Sequence, residues 1–459
     1  MSDYLLSFYG DDITGSTDAM DALSRRGIET VLFFEPPDPE KVSEEFDDAQ
    51  AVGVAGTSRS MNPDEMTESL PSVFEQLAEI DAPLLHYKIC STFDSSPEIG
   101  SIGTAIDVAE QTLETGTVPV FPAAPPLGRY VVFGNMFAEE ASDIYRLDCH
   151  PTMSEHPVTP MDESNLLEHL SKQTEKSMEL LDVLSVEEGA TTLEEELPDA
   201  RERSEVLFFD ALNKAHMTTF GEVCWEVFGK ELSETSFIVG SSGVEYALSS
   251  YWKSAGVVNL EPEYPPLPAV DQVLVMSGSA SPMTDRQIAA AKEAGFSLVP
   301  IDTPRLVDPD TRDAEKNRIN ETAEALLENG ESVVVYTARG PNDSIIDETI
   351  QRADDVEFDG NIDRRIGKTQ GVIVRRLLSE TDITRVGIAG GDTCGYVTSM
   401  LDISALKTRF PLASGAPVCR AYSNSERFDG LELALKGGQL GGKQFFVKLR
   451  DGASEWKDN

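Results

Sequence analysis

Apolar residues recur along this chain in short blocks, each followed by a polar, glycine-containing turn and then a run with helical spacing. The first block, Tyr4 to Tyr9, stops at Gly10-Asp11-Asp12. Thr14-Gly15-Ser16-Thr17 then opens a segment with Ala19, Ala22 and Leu23 at helical spacing; Gly27 closes it, and Val31 to Phe34 is a second apolar block. The switch from strand-like to helical period and back predicts a βαβ unit at the start of the chain. The same order repeats. Ala51 to Ala55 reads as a strand, and Pro63 to Ile80 as a helix with Met66, Leu70, Val73 and Leu77 on one face. Leu84 to Lys88 is the next strand, Thr104 to Leu113 a helix, and Val118 to Pro122 a further strand. Residues 150–173 interrupt the alternation as an excursion with a helix capped near Asp162 to Ser164. Leu180 to Leu184, Val206 to Phe209 and Phe237 to Val239 resume it, and Gly240-Ser241-Ser242-Gly243 opens another helix. The acidic runs Glu187-Glu188 and Glu194 to Glu196 read as a solvated helix face.

A proline-rich stretch, Asn259 to Asp271, suits neither a helix nor a central strand and predicts a linker. Alternation restarts with Val273 to Met276, a helix carrying Ile288, Ala291 and Ala294, the strand Ser332 to Thr337, a helix over Asn361 to Leu378, and the strand Arg385 to Ala389. Phe445 to Leu449 reads as a last strand. The pattern predicts an α/β protein of two domains, residues 1–258 and 272–459, joined by the linker 259–271. Each domain is expected to be a mostly parallel sheet flanked by helices.

Composition narrows what such a fold can serve. The 459 residues carry 37 Lys and Arg against 81 Asp and Glu, a formal net charge of -44. That balance argues against nucleic acid and anionic membrane as partners, since both demand basic surface. It fits a protein kept soluble in high salt, where screening makes self-repulsion tolerable. Any anionic ligand must therefore meet locally concentrated cations or arrive with a metal. The cysteines, Cys90, Cys149, Cys224, Cys394 and Cys419, are scattered and never form Cys-x-x-Cys, which points to a reducing compartment and no structural zinc. No long apolar span and no signal-like N-terminus is present, so a cytoplasmic location is expected.

Chemistry concentrates in the loops after strands. Asp11 and Asp12 sit where ligands bind in open α/β sheets, outside the carboxyl ends of the strands. Adjacent carboxylates repel, so a partner is expected: a ligand hydroxyl, a metal or a cation. The plainer reading is that one of them caps the helix with Thr14. In the second half, Ser277-Gly278-Ser279-Ala280-Ser281 and Gly390-Gly391-Asp392-Thr393-Cys394-Gly395 each join a strand to a helix, a geometry that suits a phosphate. Gly437 to Lys443 has the spacing of a P-loop, but Gln444 stands where Ser or Thr would hold magnesium, and a strand is expected to follow instead of a helix. A P-loop is therefore rejected, while Lys436 at the mouth of this turn can still meet a phosphate. There is no G-x-S-x-G, and no G-x-G-x-x-G follows the first strand.

Taken in order, these loops resemble those of the four-carbon acid sugar kinase family over nearly the whole chain. Asp11-Asp12-Ile13-Thr14-Gly15-Ser16-Thr17-Asp18 is similar to the family's D-D-x-T-G-[AS]-x-D. Lys88-Ile89-Cys90-Ser91-Thr92 resembles its K-x-D-S-T, Gly128-Arg129 its G-R, and Thr159-Pro160 its T-P. Gly240-Ser241-Ser242-Gly243, Ser277 to Thr284, Gly390 to Gly395 and Lys436-Gly437-Gly438 resemble its G-S-x-G, S-G-S-x-S-P-x-T, G-G-[ED]-T-[SC]-G and K-S-G. Two departures stand out. Cys90 replaces the family's Asp, and Phe93-Asp94-Ser95 replaces Leu-Arg-Gly.

The resemblance implies an N-terminal domain for an acid sugar and a C-terminal domain for ATP, with the active site between them. The implied reaction moves a phosphoryl group from ATP to a hydroxyl of a small anionic sugar acid or related polyol. Asp12 is the expected catalytic residue, orienting or deprotonating the hydroxyl. Asp11, Thr14, Lys88, Ser91, Thr92 and Arg129 are expected to bind substrate, with Lys88 and Arg129 on its carboxylate; for Arg129 a structural ion pair is the competing reading. Ser277, Gly278, Ser279 and Ser281 are expected to hold nucleotide, as are Gly390, Gly391, Asp392, Thr393 and Gly395. Lys436, Gly437 and Gly438 complete that set, and Mg²⁺ bridges the phosphates without identifiable protein ligands. Asp94 is expected to turn the loop from Cys90 to Gly100 toward the hydroxyl end of a substrate other than threonate or erythronate, or else to face solvent or cap the following helix. A homodimer is compatible with this reading. The alternative is a non-catalytic binding or regulatory protein on the same fold.

Overall fold

A computed structural model describes residues 4–113, 115–140, 143–156, 158–230, 235–258, 262 and 264–455. The chain divides into two compact units, residues 1–262 and 263–459. The proline-rich stretch falls partly outside the described residues. Within it, Leu267 exchanges backbone hydrogen bonds with Ala453, 2.9 Å in each direction, and is buried, so this part is built into the second unit.

In the first unit, the strands are β1 (Leu6–Gly10), β2 (Thr30–Phe33), β3 (Ala51–Ala55), β4 (Leu84–Lys88), β5 (Val118–Phe121), β6 (Arg129–Val132), β7 (Asn135–Glu140), β8 (Asp143–Arg146), β9 (Met178–Leu181), β10 (Val206–Phe209) and β11 (Ser236–Gly240). Eight of them form a parallel sheet in the order β2-β3-β1-β4-β11-β5-β10-β9. Both faces of such a sheet are covered, so its strands are near-continuous apolar runs. Tyr9 and Tyr87, from neighbouring strands, stack at 5.8 Å, and Phe74 meets both edge-on from the helix Pro63–Ala78. The register aligns Gly10 with Ala55 and Lys88, and Lys88 with Gly240. Four consecutive loops therefore leave the sheet side by side.

Three features of this unit depart from the sequence expectation. A separate antiparallel sheet, β6-β7-β8, lies between β5 and the excursion. Its strands are short and half exposed, so they give no sustained alternation. The excursion's helix is Leu166–Leu170, capped by Asn165, later than expected. The strand read as Leu180 to Leu184 ends at Leu181, because Asp182 caps a helix over Val183–Glu188.

The second unit carries β12 (Leu274–Ser277), β13 (Ser297–Pro300), β14 (Val333–Tyr336), β15 (Arg385–Ala389), β16 (Ile403–Ala413), β17 (Ala416–Ser423) and β18 (Glu432–Lys436). Their order is β13-β14-β12-β15-β18-β17-β16; the first five are parallel and the last two antiparallel. The long β16–β17 hairpin has no counterpart in the sequence reading. Register shifts between Thr408 and Phe410 and between Phe410 and Ala413 break its alternation. Phe445 to Leu449, expected as a strand, belongs to the helix Phe445–Asp451. Phe445, Phe446 and Leu449 are buried, and that spacing is helical. So short an apolar run does not by itself separate the two periods.

Among the described residues no helix is long and apolar enough to cross a membrane.

Candidate functional site

In the first unit, β1 delivers Asp11 and Asp12 to the carboxyl edge of the sheet, and the Asp11 N–H donates to the Lys88 carbonyl at 2.9 Å. Asp12 adopts an extended backbone and caps the helix Ile13–Ser24, accepting from the Gly15 N–H at 3.0 Å and the Thr14 hydroxyl at 2.7 Å. The capping reading is thus correct, and both carboxylate oxygens are engaged.

The partner expected for two adjacent carboxylates is Arg59, which was not singled out from sequence. Its guanidinium donates to both oxygens of Asp11, at 2.6 and 3.1 Å, and to Asp12 Oδ1 at 2.7 Å. The usable signal was its place in Gly56-Thr57-Ser58-Arg59-Ser60, immediately after a strand. The backbone fixes it there, since the Arg59 N–H donates to the Asp11 carbonyl at 3.0 Å.

The two acids respond in opposite directions. Burial raises the Asp11 pKa, and this outweighs the attraction of Arg59. Burial also acts on Asp12, but there Arg59 and Lys88, with the bonds from Thr14 and Gly15, hold the pKa below the ordinary aspartate value. Lys88 is buried, and a side chain at Gly15 would collide with its ammonium and with Asp12 Oδ1. Only glycine at that helix turn lets the two groups approach. Asp18, one turn further along, has its pKa raised by burial and by Glu245, against the pull of Lys88.

Arg129 is not held by the structural ion pair that was the competing reading for it. Its Nη1 donates to the carbonyls of Leu127, Gly128 and Glu139 at 3.0, 3.3 and 3.1 Å, and no acidic partner holds it among the described residues. Its Nε is buried and unpartnered. Burial lowers its pKa, against the pull of Cys90 and of Glu139 and Glu140. Cys90 is half-buried, two residues past β4. Its sulfur lies 3.1 Å from the Thr92 hydroxyl. Ser91, beside it, is half-buried.

Asp94 neither faces solvent nor caps a helix. It is buried, accepts a hydrogen bond from the Thr159 hydroxyl, and lies 3.9 Å from His156 Nδ1. Ser95 is likewise tied to the excursion, through His169 Nε2 at 3.2 Å and Gln173 Nε2 at 3.0 Å.

In the second unit, the register sets Ser277, Ala389 and Lys436 in one row across β12, β15 and β18. The three loops expected to hold nucleotide are thereby neighbours. Gly278 and Gly390 allow two of them to touch. A side-chain carbon on Gly278 would strike Thr393 Oγ1, and one on Gly390, whose φ is +122°, would crowd Gly278 and Ser279. Ser281 caps the helix Pro282–Glu293. Its hydroxyl and that of Thr284 donate to the Gly438 carbonyl at 2.5 and 2.9 Å, and Thr284 also donates to Ser279 Oγ at 3.1 Å. Asp392 and Thr393 stand in the first turn of the helix Gly391–Met400, which also includes Gly395.

Lys436 is fully buried, and among the described residues its ammonium has only the Thr284 hydroxyl at 3.3 Å and the Gly438 carbonyl at 3.2 Å as hydrogen-bond partners. Burial pulls its pKa down from 10.5 to about 8. The Ser277 hydroxyl, in the same row with Ala389 between them, is buried and unpartnered. A cation held by neutral groups, in one row with an idle hydroxyl and beside two helix N-termini, is suited to an anion.

The P-loop-like run does lead into a helix, contrary to the reason first given against it. It still does not form a phosphate cradle. The Leu440, Gly441 and Gly442 carbonyls accept from Gln287, and Lys443 is largely exposed, 3.9 Å from Glu293.

Comparison with known proteins agrees with this division. Residues 6–248 match the family model of a sugar-binding N-terminal domain, and residues 274–446 that of a nucleotide-binding C-terminal domain. The chain is 41% identical over 451 residues to the 3-oxo-isoapionate kinase of Paraburkholderia graminis, covering 98% of this chain and 94% of that protein. It is 29% identical to the 3-oxo-tetronate kinase of Pectobacterium atrosepticum, covering 97% and 98%. A solved structure from Salmonella typhimurium LT2 superposes with a TM-score of 0.77 at 26% identity, covering 96% and 98%. A Haemophilus influenzae structure shares the fold at a TM-score of 0.69 and 22% identity, with the same coverage.

Proposed function

Because the chain belongs to the four-carbon acid sugar kinase family, we propose that it phosphorylates 3-oxo-isoapionate, the compound named for its 41%-identical relative. It is an ATP-dependent phosphotransferase acting on a sugar acid. The observation that carries the substrate is the size of the step in identity, from 41% for that relative to 27–29% for the 3-oxo-tetronate kinases, at similar coverage.

Phosphoryl transfer depends on positioning and charge neutralisation more than on covalent chemistry. In this reading the row of Ser277, the Gly390–Gly395 loop and Lys436 receives the phosphates of ATP. Lys436 gains the counter-charge it lacks, and the two helix N-termini supply N–H groups. Asp392, in the first turn of the helix Gly391–Met400, is the carboxylate that would hold Mg²⁺, which would supply charge neutralisation to the transferring phosphoryl group.

On the sugar side, Asp12 is the residue we assign to the reacting hydroxyl. With its pKa depressed it is a weak base, so its role is to accept a hydrogen bond and aim the oxygen, while Asp11 and Thr14 complete the polar wall. Lys88 and the unpartnered Nε of Arg129 bind the substrate carboxylate, with Ser91 and Thr92 on its hydroxyls.

A coupled ADP-release assay at high salt over 3-oxo-isoapionate, 3-oxo-tetronate, threonate and erythronate tests the assignment. The expected result is the highest kcat/KM with 3-oxo-isoapionate. A higher value for any of the others would overturn the substrate and leave the kinase standing.

A further inference from the structure

Apart from the transfer loops, the second unit contains a cavity of about 530 Å³ between the start of the helix Arg312–Glu328 and the start of the helix Ile362–Glu380. That volume is in the range of small-molecule sites. Five cations line it: Arg312, Lys316, Arg364, Arg365 and Lys368. Only two carboxylates, Asp313 and Asp359, do so. In a chain with more than twice as many acids as bases, this local reversal departs from the average composition.

Two of these cations, Arg364 and Lys368, are not placed to stabilise the fold. Arg364 and Lys368 are one turn apart on one helix with Arg365 between them, and like charges at that spacing repel. They occupy the first two turns of a helix, where the macrodipole disfavours positive charge, and Asp363 is the only acid in its first turn. Neither Arg364 nor Lys368 has a hydrogen bond or ion pair to its side chain among the described residues. Three of the five are already committed. Arg312 donates to the Leu306 and Val307 carbonyls, Lys316 pairs with Asp313 at 2.8 Å, and Arg365 lies 5.5 Å over the Phe358 ring. An anion would relieve both the mutual repulsion and the dipole conflict.

The cavity is also distinct from the transfer loops. On the same helix, Gly367, Gln370 and Gly371 face the helix Gly391–Met400: Gln370 accepts from Thr393 at 3.1 Å, and a side chain on either glycine would meet Tyr396. The cavity uses the other face, through Arg364, Arg365, Lys368 and Val372.

We propose that this cavity is a second anion site that binds a small compound with two or more negative charges, of the phosphate-ester or pyrophosphate class. The Arg364 guanidinium fork beside the Lys368 ammonium matches phosphate oxygens, and two uncommitted cations call for a ligand with more than one negative charge. Such charges have two sources in this reaction, a nucleotide and the phosphorylated sugar acid.

The test is calorimetry on the full chain with the transfer loops saturated by a non-hydrolysable ATP analogue. Inorganic pyrophosphate is expected to bind one to one at low salt and to be displaced as salt rises. The double variant Arg364→Gln/Lys368→Gln should bind it weaker by on the order of tenfold or more, as charge-assisted hydrogen bonds imply, with kcat and the KM for ATP unchanged. ADP and enzymatically made sugar-acid phosphate, each competed against pyrophosphate, distinguish the two sources. Failure of pyrophosphate to bind the analogue-saturated protein would overturn the proposal. So would equal binding by the variant, or a raised KM for ATP, which would fold the cavity into the nucleotide site.

Discussion

Arg59 decides the charge state of the first unit's acidic pair, and its removal should show in the pH profile. Its guanidinium touches both Asp11 and Asp12, and it is the leading influence holding Asp12 low against burial. Asp12 can accept from the substrate hydroxyl only as a carboxylate, so activity is lost as pH falls through its pKa. Arg59→Gln takes away the opposing charge and lets burial win. The acid limb of kcat/KM should move to higher pH, with the alkaline side little changed in position. A variant whose limb overlays that of the wild type would show that Asp12 is not the group being titrated. Lys436 provides a second test, with the sign set by burial. Its pKa is near 10.5 in the unfolded chain and about 8 in the folded one. Below pH 8 both states carry the proton and the folded state bears the whole penalty, about 3 kcal/mol. Between pH 8 and 10.5 the unfolded chain binds more protons, so stability rises with pH across that window. Lys436→Met should abolish ATP binding and remove this rise, and at pH 7 it should unfold at higher urea than the wild type. Parallel urea midpoints for the two proteins across that pH range would refute the depressed pKa.

At the scale of elements, the segment from Cys90 to Gly100 and the excursion 150–173 behave as one piece. Asp94 and Ser95 are its rivets, through Thr159, His156, His169 and Gln173. This alters the meaning of the acid at position 94. The carboxylate is committed to Thr159 and ties the two segments together instead of standing free in the loop. Asp94→Ala removes the carboxylate that accepts from the Thr159 hydroxyl and leaves it His156 Nδ1 at 3.0 Å, so the loss is that of one charge-assisted hydrogen bond, about 1–3 kcal/mol. The expected result is a lower urea midpoint together with a raised KM for the sugar acid and an unchanged KM for ATP. An unaltered urea midpoint would show that the Asp94–Thr159 contact contributes nothing to the fold.

Over the whole molecule, the net charge of -44 is a standing repulsion that salt relieves. The screening length falls from about 10 Å at 0.1 M to about 3 Å at 1 M ionic strength. Thermal unfolding should therefore move to higher temperature as KCl is raised over that interval. A Tm independent of KCl would mean that the acidic groups are too dispersed or too well paired to destabilise the fold. Most of this charge is carried by exposed faces such as Glu194 to Glu196, whereas the cavity around Arg364 and Lys368 has the opposite sign.

The α/β class, the order of the parallel strands' segments and the polar glycine loops that follow them are legible in the chain alone. These are local properties: apolar blocks of strand length, helical spacing, caps and glycines each act over a few residues. Asp11-Asp12, Ser277 to Ser281 and Gly390 to Gly395 were legible for that reason. Only the tertiary structure decided which loops are neighbours. The row of Ser277, Ala389 and Lys436 arises from the order β12-β15-β18, in which residues more than forty positions apart become adjacent. Arg59 lies far along the chain from the two acids it holds, and nothing within its own segment records that distance. The hairpin β16–β17, the small sheet β6-β7-β8 and the helix at Phe445 escaped for a related reason. Bulges, half-exposed strands and short apolar runs blur the periodicity, and the choice between strand and helix then falls to the long-range contacts that bury Phe445, Phe446 and Leu449.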